Sequence, residues 1–194
     1  AEEWTNKGLD YAIEGKYVQA IQCYDEAIRI NPDLAMAWNN KGVAYHLQGN
    51  HSEAIRFLDE AIRINPDFSM AWNNKGNAYA NLGDPRKAIE YYEQALAVAR
   101  EIGDRRNEKV LLGNLGLAYA DLGDILQAIE YHEGALNISR EIGDRAAEGN
   151  HLNNLGNAYF VLGEPRRAIE YQEQALAIAR ENEDRAAEGA HLGN

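Results

Sequence analysis

Apolar and small residues along this chain recur at three- and four-residue steps on both sides of regularly spaced glycines. Such steps predict pairs of helices joined by tight turns. In the first pair Trp4, Gly8 and Tyr11 mark one helix, and Ala20, Ile21, Tyr24, Ala27 and Ile28 mark the other. Between them Gly15 permits the left-handed backbone that ends a helix. The set Gly8, Tyr11, Gly15, Ala20, Ala27 returns at 42, 45, 49, 54 and 61, at 76, 79, 83, 88 and 95, at 116, 119, 123, 128 and 135, and at 156, 159, 163, 168 and 175. Five copies at fixed offsets identify a repeat protein. The small residues have a packing reason: Gly8, Ala20 and their copies are expected where the two helices of one unit approach closely.

The spacing between copies changes along the chain. Gly8, Gly42 and Gly76 are 34 residues apart, whereas Gly76, Gly116 and Gly156 are 40 apart. The shorter units end in Asn31-Pro32-Asp33 and Asn65-Pro66-Asp67, where Pro is expected to stop one helix and Asp to cap the next. The longer ones end in Glu101-Ile102-Gly103-Asp104-Arg105 and Glu141-Ile142-Gly143-Asp144-Arg145. Six extra residues amount to about 9 Å of helix, so the second half is expected to have longer helices. Within units, Asp84-Pro85 and Glu164-Pro165 read as an acidic cap followed by Pro at the first helical position.

Trp4, Gly8, Tyr11, Ala20, Tyr24, Ala27 and Pro32 resemble the signature of the tetratricopeptide repeat (TPR) over essentially the whole chain. Lys7 departs from it where Leu is usual, as do His132 and Gln172 where a bulky apolar residue is usual. The 40-residue form is similar to the arrays of Pins-type adaptors and their prokaryotic relatives. The resemblance implies an all-α fold, a right-handed superhelical solenoid of antiparallel helix pairs whose first helices line a concave groove. Five repeats and the start of a sixth pair are expected as one TPR solenoid over 1–194. Its units fall at about 1–34, 35–68, 69–108, 109–148 and 149–188, with 189–194 as a partial cap. Gly193-Asn194 stop inside a sixth copy, so the chain reads as a piece of a longer array.

Charge narrows the partners. The 31 acidic and 19 basic residues leave a formal charge of -12, which repels nucleic-acid backbones and anionic membranes. Residues 101–194 hold 17 acids and 9 bases against 14 and 10 in residues 1–100, which favours a basic ligand for the second half. Cys23 is the single cysteine, so no intrachain disulfide forms. No apolar run nears the roughly 18 residues of a membrane span, and a reducing cytoplasm fits both facts.

An asparagine stands two residues before each unit's first Gly: Asn6, Asn40, Asn74, Asn114 and Asn154. In the geometry the resemblance implies, this column faces the groove, where amides can pair with the backbone of an extended peptide. Helix–helix hydrogen bonding is the alternative role. One turn further come Leu9, Val43, Asn77, Leu117 and Asn157, and Asn39 and Asn73 adjoin the column, completing the candidate groove. Met36 and Met70 flank the first units. Thr5, Leu9, Asn40, Met70 and Asn74 stand where some relatives place bases that clamp a C-terminal carboxylate; none is basic, which argues against such a clamp.

Catalysis has little support. His46, His51, His132, His151 and His191 lack the spacing of HExxH or Cys/His metal sites. Gly-rich phosphate loops are absent, and Glu90, Glu130 and Glu170 read as a solvated face. No cofactor is expected. The leading reading is a non-enzymatic scaffold binding a partner's peptide segment in the groove. The alternatives are a structural solenoid with weak end-to-end self-association, or a regulatory sensing module of a larger multidomain protein.

Overall fold

The computed structural model describes the backbone of residues 1–192 and the side chains of residues 1–181. Among the described residues there are ten helices and no strand: α1 (Glu2–Ile13), α2 (Tyr17–Ile30), α3 (Ala35–Leu47), α4 (His51–Ile64), α5 (Ser69–Asn81), α6 (Pro85–Glu101), α7 (Arg105–Asp121), α8 (Ile125–Glu141), α9 (Arg145–Val161) and α10 (Pro165–Leu192). They form two compact units, Ala1–Ile102 and Gly103–Asn194. In the first, each helix packs on the next from α1 to α6, and α3 also touches both α1 and α5. In the second, α7 to α10 pack in succession. This is the expected all-α arrangement of tandem helix pairs.

Each pair is held by a close approach at its glycine. A Cβ placed on Gly8 would lie 2.4 Å from the Tyr24 ring, on Gly76 2.5 Å from Tyr92, and on Gly116 2.6 Å from His132. On Gly42 it would lie 2.8 Å from Leu58. The side chain sixteen residues on thus fills the space that the missing methyl leaves. Ala20, Ala54, Ala88 and Ala128 on the second helices are fully buried. The turn glycines take the left-handed conformation as expected, with φ between 73° and 82° at Gly15, Gly49, Gly83, Gly123 and Gly163.

The two periods differ at one end of the hairpin only. Every first helix ends five residues past its Gly, and every second helix starts three residues before its Ala. The extension from 13 to 17 residues in the first helices is therefore N-terminal. That from 14 to 17 in the second helices is C-terminal. Asp84, Asp104, Asp124 and Asp144 cap their helices, each accepting a hydrogen bond from the backbone N–H three residues on. Asp33 and Asp67 do not cap, contrary to the expectation from sequence. The N-caps are Leu34 and Phe68, without a side-chain bond. Asn31 and Asn65 instead accept from the Asp33 and Asp67 N–H groups, at 3.1 Å. The linkers are further tied down by Trp38 Nε1, which donates to the Pro32 carbonyl at 2.7 Å, and by Trp72 Nε1, which donates to that of Pro66 at 2.8 Å.

In the longer units ion pairs take over this role at the extended ends. Arg105 at the start of α7 binds Glu108 and Glu141, and Arg145 at the start of α9 binds Glu148 and Glu181. Arg140 reaches from α8 to the buried Glu148 at 2.9 Å. Burial alone would raise the Glu148 carboxyl, but the two arginines hold it below the usual range. After Glu181 no stop follows: α10 runs unbroken to Leu192, joining the fifth pair to the opening of the sixth copy. Asn182 and Glu183 stand there in place of Ile and of the left-handed Gly103 and Gly143. The expected cap at 189–194 lies outside the described side chains.

A stacked aromatic pair repeats through four of the five hairpins. Tyr45 and Phe57, Tyr79 and Tyr91, Tyr119 and Tyr131, and Tyr159 and Tyr171 have ring centroids 5.0, 5.2, 5.2 and 5.3 Å apart. Lys41 and Lys75, at the position where Leu is usual, lie 4.0 Å over Phe57 and Tyr91 and pair with Asp25 and Asp59 on the preceding second helices. Their stems pack like the expected Leu while the ammonium stays paired. In the first hairpin Cys23 replaces the second ring, leaving a cleft of about 470 Å³ lined by Trp4, Lys7, Tyr11 and Cys23. Cys23→Phe should fill it and stabilise the chain by about 0.5–1.5 kcal/mol. Urea unfolding of the two proteins checks this, and an unchanged or lower midpoint would refute it.

Candidate functional site

The amides of the first unit are not equivalent. Asn6 on α1 is exposed, and Asn40 on α3 and Asn74 on α5 are half-buried. Asn39 is 4% exposed. Asn74 Nδ2 donates to Asn39 Oδ1 at 2.9 Å, and Asn39 Nδ2 donates to Asn40 Oδ1 at 3.1 Å. Three of the candidate residues thus form one chain of amides that stitches α3 to α5. Such a chain fixes each amide's orientation, since an acceptor in one link sets the donor in the next. Asn77, one turn on, accepts from the Tyr92 hydroxyl at 2.8 Å. Asn73 is half-buried beside them. Leu9 is exposed and Val43 half-buried, while Met36 and Met70 are half-exposed. Thr5 is buried and donates to the Ala1 carbonyl, so it does not line a groove.

In the second unit the structure brings the candidate residues together. Asn114 and Leu117 on α7 and Asn154 on α9 line one cleft of about 450 Å³. Leu117, Asn154 and Asn157 line another of about 430 Å³, with Ala158 and Val161 adding apolar wall. Leu117 and Asn154 are common to both, so the two clefts adjoin. Asn154 makes no side-chain hydrogen bond to the described residues, and Asn157 accepts a long one, 3.5 Å, from Gln172. Apolar walls with a few amides suit side chains and backbone of an extended segment.

Sequence reasoning missed the floor of these clefts. His132 lines the second and His151 the first. Their rings lie 6.0 Å apart between α8 and α9, under Gly116 and Gly113 of α7. Both Nδ1 atoms are buried without a hydrogen bond. Burial, and secondarily the neighbouring ring of His151, push His132 down to about 4. His151 is lowered mainly by burial, then by Lys109, which itself binds Asp144. His132 therefore occupies the position where other hairpins hold Tyr24, Leu58 or Tyr92, and His151 the position held by Leu111 in the preceding copy. Among the described residues, no cluster of three or more His, Cys, Asp or Glu is placed to hold a metal ion, and no helix is long and apolar enough to cross a membrane.

Comparison with known proteins gives this architecture a family. Tetratricopeptide repeat models match residues 67–124 and 107–181, 8–49, and 35–68. Among solved structures, BtubC (BKLC) from P. vanneervenii superposes with a TM-score of 0.85 at 22% identity, over 94% of this chain and 80% of that one. The TPR-like repeats of a Podosopora anserina kinesin light chain give 0.79 at 19% identity, over 94% and 96%. MamA (residues 41 to the end) from Desulfovibrio magneticus gives 0.77 at 19%, over 93% and 95%. A search of curated protein sequences returned no match.

Two outcomes follow from the site's geometry. Asn74→Ala removes the partner of a buried acceptor and should cost about 1 kcal/mol of stability, whereas Asn154→Ala should leave stability within about 0.5 kcal/mol. Denaturant titration of both variants separates the two roles within the column. For His132, whose imidazole is lowered from 6.5 to about 4, the unfolded chain takes up the proton first as pH falls. Its contribution is complete above pH 6.5 and is lost between there and about pH 4, a change on the order of 3 kcal/mol. His132→Leu, which borrows the residue of the second hairpin, should flatten the pH dependence over that window when unfolding is followed at a series of pH values.

Proposed function

Because the chain belongs to the tetratricopeptide repeat family, we propose that it is a non-enzymatic protein-interaction scaffold that binds an extended peptide segment of a partner on its first-helix face. Proteins of this family are in general scaffolds rather than catalysts. The observation that carries the finer reading is the pair of adjoining clefts along α7 and α9, where Asn114, Asn154 and Asn157 alternate with Leu117, Ala158 and Val161. Amides spaced along helices one repeat apart suit the peptide groups of an extended chain, and the apolar walls suit its side chains. In the first unit Asn39, Asn40 and Asn74 form one amide chain between α3 and α5, and the clefts that bring amides and apolar walls together lie along α7 and α9. The reading is therefore centred on the second unit.

Charge selects among peptides. Residues 101–194 carry 17 acids and 9 bases, and Arg105, Arg140, Arg145 and Lys109 are committed to carboxylates of the same unit. The uncompensated charge is acidic, which favours basic segments and makes binding weaken as salt screens it. A cytoplasmic location belongs to the same reading.

Selection from a random peptide library against the 194-residue chain tests this. Basic sequences should be enriched, and their affinity should fall with ionic strength. Asn114→Ala combined with Asn154→Ala should weaken a selected peptide by about 1–3 kcal/mol, at roughly 0.5–1.5 per net hydrogen bond, as read by calorimetry. A panel of acidic peptides, or binding untouched by the double substitution, would overturn the groove assignment.

A further inference from the structure

The hairpin of α3 and α4 carries two histidines found at these positions in no other copy. His46 lies in the last turn of α3 and His51 opens α4, with Leu47-Gln48-Gly49-Asn50 between them. The left-handed Gly49, φ 81°, folds the chain back so that the two rings meet at a centroid distance of 4.7 Å. Their Nδ1 atoms are 3.1 Å apart. The corresponding positions are Ala12 and Tyr17, Ala80 and Pro85, Ala120 and Ile125, and Phe160 and Pro165. The turn therefore closes equally well with residues that share no polar contact, and the hairpin's packing does not call for the imidazoles.

The separation has a second chemical meaning. Two nitrogens each bound to one zinc ion at 2.0–2.1 Å stand roughly 2.9–3.4 Å apart for ligand angles between a right angle and the tetrahedral value. The observed 3.1 Å falls inside that span. Both rings are half-buried and so retain access to solvent. A metal ion takes the neutral ring of each histidine. We propose that His46 and His51 form a two-imidazole chelate for a borderline divalent metal ion of the zinc or nickel class, with the remaining coordination positions open to water or to a donor from a partner.

On binding, the proton shared between the two Nδ1 atoms moves to the Nε2 of the ring that carried it, leaving both Nδ1 lone pairs for the ion. A small rotation of the rings then brings the lone pairs to one point. Magnesium and calcium prefer oxygen ligands and would not compete. That discrimination separates the chelate from loose attraction of cations to an acidic surface.

Titration of the 194-residue chain with zinc chloride and with nickel chloride, in excess magnesium, tests the proposal. One ion should bind per chain, and the ring-proton NMR signals of His46 and His51 should shift while those of His132 and His151 do not. His46→Ala and His51→Ile each borrow the residue of a sibling hairpin and are expected to fold, which circular dichroism verifies. Loss of an outer-shell partner of a metal ligand already costs 10–100-fold, so losing a ligand should weaken binding by at least about tenfold. His191→Gln should leave it unchanged. Absence of saturable uptake, displacement by magnesium, or equal uptake by the His46→Ala/His51→Ile protein would each overturn the assignment.

Discussion

The structure depends on a distance set by absent atoms. Where the first and second helices of each pair cross, a glycine leaves room for the side chain sixteen residues on, a buried ring or branched chain in the first four pairs and Gln172 in the fifth, which a Cβ would displace. That contact brings the helices close enough for the alanines of the second helix to be sealed from water. Once the spacing is fixed, the side chain under the glycine is free to vary. Tyr24, Leu58, Tyr92 and His132 all occupy the position. The backbone requirement is thus strict and the filling residue permissive, which is how a polar imidazole came to sit in the interior of the second unit.

This division explains what was legible in the sequence. Turn glycines, the paired small residues and the Asp84-Pro85 cap are local requirements, written within a few residues of where they act. The repeat, the helix pairs and the longer helices of the second half could therefore be read directly. Interactions that cross between hairpins were not legible. Lys7 looked like a departure from an apolar position, and its copies Lys41 and Lys75 each lie over a ring of their own hairpin and meet an aspartate of the one before. Asp33 and Asp67 looked like caps, but the prolyl linkers are organised by an asparagine and a tryptophan instead.

The candidate site was legible in part. In the second unit the column of asparagines falls beside the clefts that Asn114, Asn154 and Asn157 line with Leu117. It could not tell which amides pair with a neighbouring helix, because that depends on the residue across the interface. Asn74 finds Asn39 there, whereas Asn154 of the second unit has Gly113 at the position equivalent to Asn39. His132 was noticed as standing at an apolar position, but its meeting with His151 beneath the clefts was not legible, because that contact crosses from one hairpin to the next.

The placement of the extra residues in the longer units has a consequence for how such hairpins can be exchanged. From first glycine through turn to second alanine, both kinds of unit are identical in length, so their closed ends are interchangeable parts. At the open end, four added residues advance the start of the first helix by about 6 Å and turn it by about 40°, while three at the end of the second advance it by about 4.5 Å and leave it about 60° short of a full turn. A long hairpin grafted among short ones would keep its own core yet present its linker out of phase with its neighbours. The chain is accordingly written in two joining standards, and recombination between them is constrained at the linkers while the hairpin interiors remain free to vary.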